Sequence, residues 1–203
     1  MPHAETPLSR MLAEERKPDA LTAFRVARRW FTAGRRIEMQ ELAHELGVNR
    51  ATLFRWVGGR NDLLGEILWS LAEPALTAAV EASDGNGAQR ITGAIGHFAA
   101  MLDRADFLRE FLRREPERAL RILTTRAGPV QGGLVAAIET LLKDEVSQGN
   151  LHSRLPLHDL AYLILRIVES FLYAEYITGE EPDIAMAELA VGALLGHHDS
   201  DTN

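Results

Sequence analysis

Apolar residues along this chain recur every three or four positions, and nowhere alternate in the β-branched runs that mark strands. The spacing predicts helices over about Pro18–Thr32, Met39–Leu46, Arg50–Val57 and from near Arg60 to about Glu81, where Pro74 is expected to bend or interrupt the last. After the Ser83-Asp84-Gly85-Asn86-Gly87 loop come a stripe at Ile91, Ile95, Phe98 and Leu102 and a short one at Phe107, Leu108, Phe111 and Leu112. Pro116 opens a helix that closes by Gly128-Pro129. Two long helices follow, about Val130–Ser147 and Leu157–Thr178, separated by a loop at 151–156, and a last one covers about Asp183–Leu195. The pattern is all-α.

The stretch from Ile37 to Leu64 has further detail. Ala43 is small enough for a second helix to cross close above it, and Gly47, four residues on, suits the positive φ that often ends a helix. Asn49 is a good N-cap for the next helix. Leu46, Val48, Leu53 and Val57 are spaced to face one core, which leaves Arg50, Thr52 and Arg55 on another face before the Gly58-Gly59 stop. Two short helices joined in this way form a helix-turn-helix, whose second helix fits the major groove of DNA.

Charge points the same way. Residues 18–60 hold eight arginines against four acids, whereas residues 61–203 hold 11 bases and 22 acids. A basic head on an acidic body is expected if the head alone meets phosphate, and the overall charge of −7 conceals it. Twenty arginines accompany two lysines, so basic contacts come mostly from forked guanidinium groups. There is no cysteine, hence no disulfide and no thiolate metal site. With no apolar signal core and no run of 18 apolar residues, the sequence reads as a soluble, cytoplasmic protein without a membrane partner.

The run Gly47-Val48-Asn49-Arg50-Ala51-Thr52-Leu53-Phe54-Arg55-Trp56-Val57, with Arg60 and Leu63-Leu64 beyond it, resembles the TetR family of bacterial transcriptional regulators. The motif spans residues 37–64, and Pro18–Gly34 fits the family's first helix. The resemblance implies a three-helix DNA-binding domain over 18–64 after an arm at 1–17, and a helical effector-binding and dimerisation domain over 65–203. It implies that Arg50, Ala51 and Thr52 read bases, that Arg55 reaches a base or phosphate, and that Gln40 and Arg60 contact backbone phosphate. Phe54 replaces the family's usual Tyr and loses a phosphate-directed hydroxyl, while Trp56 replaces the usual His and offers an indole N–H. Glu38 stands where a Thr commonly caps the second helix; an acid there suits the helix dipole but repels phosphate.

The resemblance also implies a homodimer through about 130–147 and 157–178, a near-palindromic double-stranded operator, and a small hydrophobic effector that releases the protein from DNA. The Arg-rich first helix and the Arg-Trp-Val-Gly-Gly-Arg run resemble a branch linked to lactone signals and their degradation. Phe98, Met101, Phe107, Phe111, Tyr162 and Tyr173 are candidate pocket residues, although aromatic stripes at helical spacing also build plain core. In the helix over 157–178, Leu160, Ile164, Ile167, Phe171 and Ala174 form one face, and Tyr162, Arg166, Glu169, Tyr173 and Tyr176 another. Arg166 and Glu169 read either as a pair that fixes dimer register or as a polar anchor for the effector. No nucleophile elbow, phosphate loop or His-Glu-x-x-His occurs, so no enzyme, cofactor or metal is expected. His197-His198-Asp199 reads as a solvated tail rather than a metal grip. The competing functions are a DNA-binding regulator without an effector and a helical protein-interaction module.

Overall fold

A computed structural model of the chain describes residues 18–196. The expected arm over 1–17 and the His197-His198-Asp199 cluster lie outside the described residues. Within them are eleven helices and no strand.

The first three form the head: α1 (Ala20–Thr32), α2 (Met39–Glu45) and α3 (Arg50–Val57). Asp19 caps α1 by accepting a hydrogen bond from the Thr22 amide at 2.8 Å. Between α2 and α3 the chain turns at Gly47, whose φ of 64° L side chains rarely adopt, while the Val48 amide donates back to the Ala43 carbonyl. Asn49 then caps α3, as its sequence position predicts, accepting from the Thr52 amide at 2.8 Å. Ala23, Ala27, Trp30, Phe31, Leu42 and Leu53 are buried between the three helices.

α4 (Arg60–Glu81) links this head to the rest and packs against α1, α5 (Gly87–Asp103), α7 (Pro116–Thr124) and α8 (Pro129–Ser147). Pro74 was expected to bend or interrupt it. The helix instead runs unbroken through Pro74, which lies exposed on its surface. By length and apolarity α4 passes the test for a membrane span, with a mean hydropathy of 1.3 over its most apolar stretch. Its apolar residues are core residues, however: Leu63, Leu64, Ile67 and Leu68 are buried against its neighbours.

The remaining elements are α6 (Asp106–Arg114), α9 (Leu157–Leu172), α10 (Ala174–Ile177) and α11 (Ile184–Leu194). A single helix was expected over 157–178. The structure ends α9 at Leu172 and resumes with the one-turn α10, the break falling at Tyr173 (φ −105°, ψ 18°). Tyr173 and Ala174 are both buried there, so the bend keeps the tyrosine inside the fold.

One buried charge was not anticipated. Glu145, 1% exposed, accepts hydrogen bonds from the Gly87 amide at 2.7 Å, Arg90 at 2.6 Å and Asn150 at 3.1 Å. It fastens the end of α8 to the start of α5. Burial pushes its pKa up, but the Gly87 amide, Arg90 and Asn150 outweigh burial and hold it below the usual value. Gly87 itself is required, because its φ is 57° and a Cβ would stand 2.3 Å from the Asn150 carbonyl oxygen.

Candidate nucleic-acid interface and effector cavity

α3 presents one face outward. Leu53 is fully buried beneath it, and Arg50, Ala51, Phe54 and Arg55 are exposed, with Phe54 50% accessible. The one- and four-residue spacings put these four side chains on a single face. Neither Arg50 nor Arg55 meets a carboxylate among the described residues, whereas Arg29, Arg35 and Arg36 on the other elements of the head each contact a glutamate. Thr52 is half-buried and its amide is committed to Asn49. Trp56 is also half-buried and packs on the head's core, so most of its ring serves packing. Gln40 lies exposed on the first turn of α2.

Two charged side chains beside this face are committed within the fold. Glu38 makes no side-chain cap on α2; its carboxylate meets Arg36 Nε at 2.8 Å. Arg60, expected at phosphate, faces inward. Its Nε donates to the Ile37 carbonyl at 2.6 Å, and its two terminal nitrogens donate to the two Glu115 oxygens at 2.6 and 2.5 Å. Both side chains are 14% exposed. A guanidinium fork matches a carboxylate bidentately, which a lysine ammonium cannot do. The amide of Gly59, at the same helix start, is taken by Asp62 at 2.7 Å. Glu115 also meets Arg36 and Arg118, and its pKa falls from 4.5 to about 2. The Arg60 hydrogen bonds are the largest cause, opposed by burial. The residue that receives Arg60 lies 55 positions away, between α6 and α7, and no local sequence signal marks it.

The body encloses an apolar cavity of about 270 Å³ between α4, α5, α6, α7, α8 and the α9–α10 break. Four of the candidate pocket residues, Phe98, Met101, Phe107 and Tyr173, line it. The other lining side chains among the described residues are aliphatic, so the Tyr173 phenol is the single hydroxyl they bring to the wall. Met101, 45% exposed, stands at its lip. Burial raises the Tyr173 pKa, and the nearby Glu169 charge adds to this.

The other four candidates lie elsewhere. Phe111 packs edge-on against Phe31 of α1 at 5.4 Å, and Phe107 also meets Phe31, at 5.6 Å. Tyr162 is exposed, with Arg166 5.3 Å from its ring. Arg166 and Glu169 form a close ion pair in which Arg166 Nε has no hydrogen-bond partner. Burial raises the Glu169 pKa to about 7 against the pull of Arg166. Sequence spacing put Tyr162, Arg166, Glu169 and Tyr173 on one face, but only Tyr173 reaches the cavity wall.

A family model described as the tetracyclin repressor-like, C-terminal domain matches residues 86–196. No curated protein matches the chain. Among solved structures, the transcriptional repressor QsdR of R. erythropolis, from the TetR family, is similar at a TM-score of 0.84 and 28% identity, over 91% of this chain and 97% of that one. The TetR family repressor AlkX from Dietzia sp. strain DQ12-45-1b, implicated in biodegradation of n-alkanes, shares the fold at a TM-score of 0.55 and 22% identity, over 88% of this chain and 96% of its own.

Proposed function

Because the chain belongs to the TetR family of transcriptional regulators, we propose that it is a homodimeric repressor that leaves a near-palindromic operator when a small hydrophobic effector fills the cavity. The observation that carries the DNA-binding half is the outward face of α3, where Arg50 and Arg55 have no carboxylate partner among the described residues. Arg50 is assigned to guanine O6 and N7, Ala51 and Phe54 to apolar contact with thymine methyls, and Arg55 to a base or phosphate. Gln40 is assigned to backbone phosphate. Arg60 is assigned a structural role through Glu115, which positions the start of α4 beside α3.

The assignment divides the chain into a head over 18–64 and a body over 65–203, with α4 shared between them. A second copy is assigned to α8 and α9, where Val146, Tyr162 and Leu163 are exposed and apolar, as a self-complementary face requires. The cavity suits a small, uncharged, mainly hydrocarbon effector. Tyr173 supplies its one hydrogen bond, so a lactone is the first class to try. Phe107 is the link in the coupling, because it lines the cavity and packs on Phe31 of the head.

The test is affinity capture of sheared genomic DNA on the purified protein, with Arg50→Ala in parallel, followed by sequencing. A palindromic motif recovered by the wild type and lost in the variant is the expected result, and its release by lactones of graded chain length is the second. Sequence-blind recovery, equal in both proteins, would refute the reading.

A further inference from the structure

A second concavity lies outside the effector cavity, on the surface between α4 and α8. The two helices touch where Gly65 meets Gly128 and Pro129; a Cβ on Gly65 would stand 3.0 Å from Pro129 Cδ. One turn on, the indole of Trp69 lies on Gly133; a Cβ there would stand 2.5 Å from the ring. Beyond this contact a groove of about 600 Å³ opens. On α4 it extends from Trp69 to Glu81, about 18 Å of helix at 1.5 Å per residue. Its floor is apolar, with Leu76, Ile95, Ile138 and Leu141 among the lining residues, and the α8 wall is low because it carries Gly133, Ala136 and Ala137.

The charge around this groove has one sign. Glu73, Glu81 and Asp144 line it, and among the described residues no lysine, arginine or histidine does. The neighbouring acids of α8 are neutralised, Glu139 by Lys143 and Glu145 by Arg90. The three groove carboxylates make no ion pair among the described residues. Glu139 also marks the opposite flank of α8, since it meets α9, so the groove faces away from the surface assigned to a second copy. An apolar trough with an indole at one end and uncompensated carboxylates along its edges complements a body that is apolar and positively charged. Neutral or anionic apolar molecules gain the floor but not the edges, and the Trp69 ring adds attraction for a cation alone.

We propose that the α4–α8 groove is a second binding site, separate from the effector cavity, and that it takes organic cations. Trp69 and the apolar floor hold the body of the ligand, and Glu73, one turn along α4 from Trp69, holds its charge, with Glu81 and Asp144 adding negative potential further along the groove. The site does not depend on the DNA-binding or effector assignments.

The probes are tetraphenylphosphonium and tetraphenylborate, ions of nearly the same size and shape and of opposite charge, titrated calorimetrically into the full chain. The expected result is one tetraphenylphosphonium per chain, bound at least tenfold more tightly than tetraphenylborate. The double variant Glu73→Gln with Asp144→Asn changes only exposed side chains and is expected to lower tetraphenylphosphonium affinity at least tenfold. Thr77→Arg, which brings a cation into the groove, is expected to do the same. Equal affinity for the two ions overturns the proposal. So does undiminished binding by both variants, or loss of binding when the effector cavity is filled by Ala75→Leu.

Discussion

Replacing Glu115 with glutamine tests whether one carboxylate holds the head to the body. The substitution keeps the size of the side chain and removes its charge, leaving Arg60 with the Ile37 carbonyl and one neutral amide oxygen as acceptors, while its other terminal nitrogen faces an NH2 donor. The fall in the Glu115 pKa from 4.5 to about 2 corresponds to about 3 kcal/mol as an upper bound. Breaking a fully buried pair costs about 3–5 kcal/mol, and an exposed one under about 1. With both side chains 14% exposed, the expected loss is about 2 kcal/mol at pH 7. The native pKa is depressed, so the carboxylate's contribution is complete above about pH 4.5 and disappears as pH falls towards about 2. The difference between wild type and variant should therefore be full at pH 7 and much reduced at pH 3. Urea unfolding followed by tryptophan fluorescence at both values measures it. A difference below about 0.5 kcal/mol at pH 7, well short of the 1 kcal/mol limit for an exposed pair, or one of equal size at both values, would refute the reasoning.

The other perturbations are simpler. Arg50→Ala should weaken operator binding by about 1–3 kcal/mol and relax preference at one base pair, read by titration against single-base operator variants. Ala75→Leu, which fills part of the cavity wall, should abolish effector-induced release while leaving operator affinity within about twofold, as direct packing at that distance from α3 leaves the reader intact; gel-shift titration with and without effector decides it. Glu145→Ala strips the Gly87 amide, Arg90 and Asn150 of a buried acceptor and should cost about 3–5 kcal/mol in chemical denaturation. Glu169 has a native pKa raised from 4.5 to about 7, so the folded state binds its proton more tightly and stability should fall as pH rises through that window. Glu169→Gln should remove that slope.

What the sequence made legible was local. Asn49, three residues before the amide it caps, and Gly47, at the positive φ, fix the turn before α3 without help from the rest of the chain. The apolar stripes likewise identified Phe98 and Phe107 as inward-facing, and both reach the cavity. What sequence missed depends on partners far along the chain. Arg60 was given a phosphate by resemblance alone, which does not show what else in the fold competes for its charge. Glu115, 55 residues on, does so with two hydrogen bonds. Tyr162 and Tyr173 share a helical face, but the break after Leu172 separates their fates, leaving one in solvent and the other in the cavity wall. Pro74 failed as a helix breaker because its ring lies on the exposed side of a helix held by neighbours on the other.

The same long-range pairings connect the two ends of the molecule. Between the cavity and α3 stand Phe107, which touches both the cavity and Phe31, and Glu115, which holds the first residue of α4 two positions after α3's glycine stop. α6 carries the first and ends at the second, so a ligand that displaces Phe107 acts on a helix whose far end fixes the placement of the reader. This predicts that loosening either contact uncouples the ends in different ways. Phe107→Ala should blunt the response to effector while Arg60 still holds the head, and Glu115→Gln should weaken operator binding even without effector. If Glu115→Gln lowers stability but leaves both operator affinity and its effector dependence unchanged, α6 fixes the head without carrying the signal, and the route runs through α4 alone.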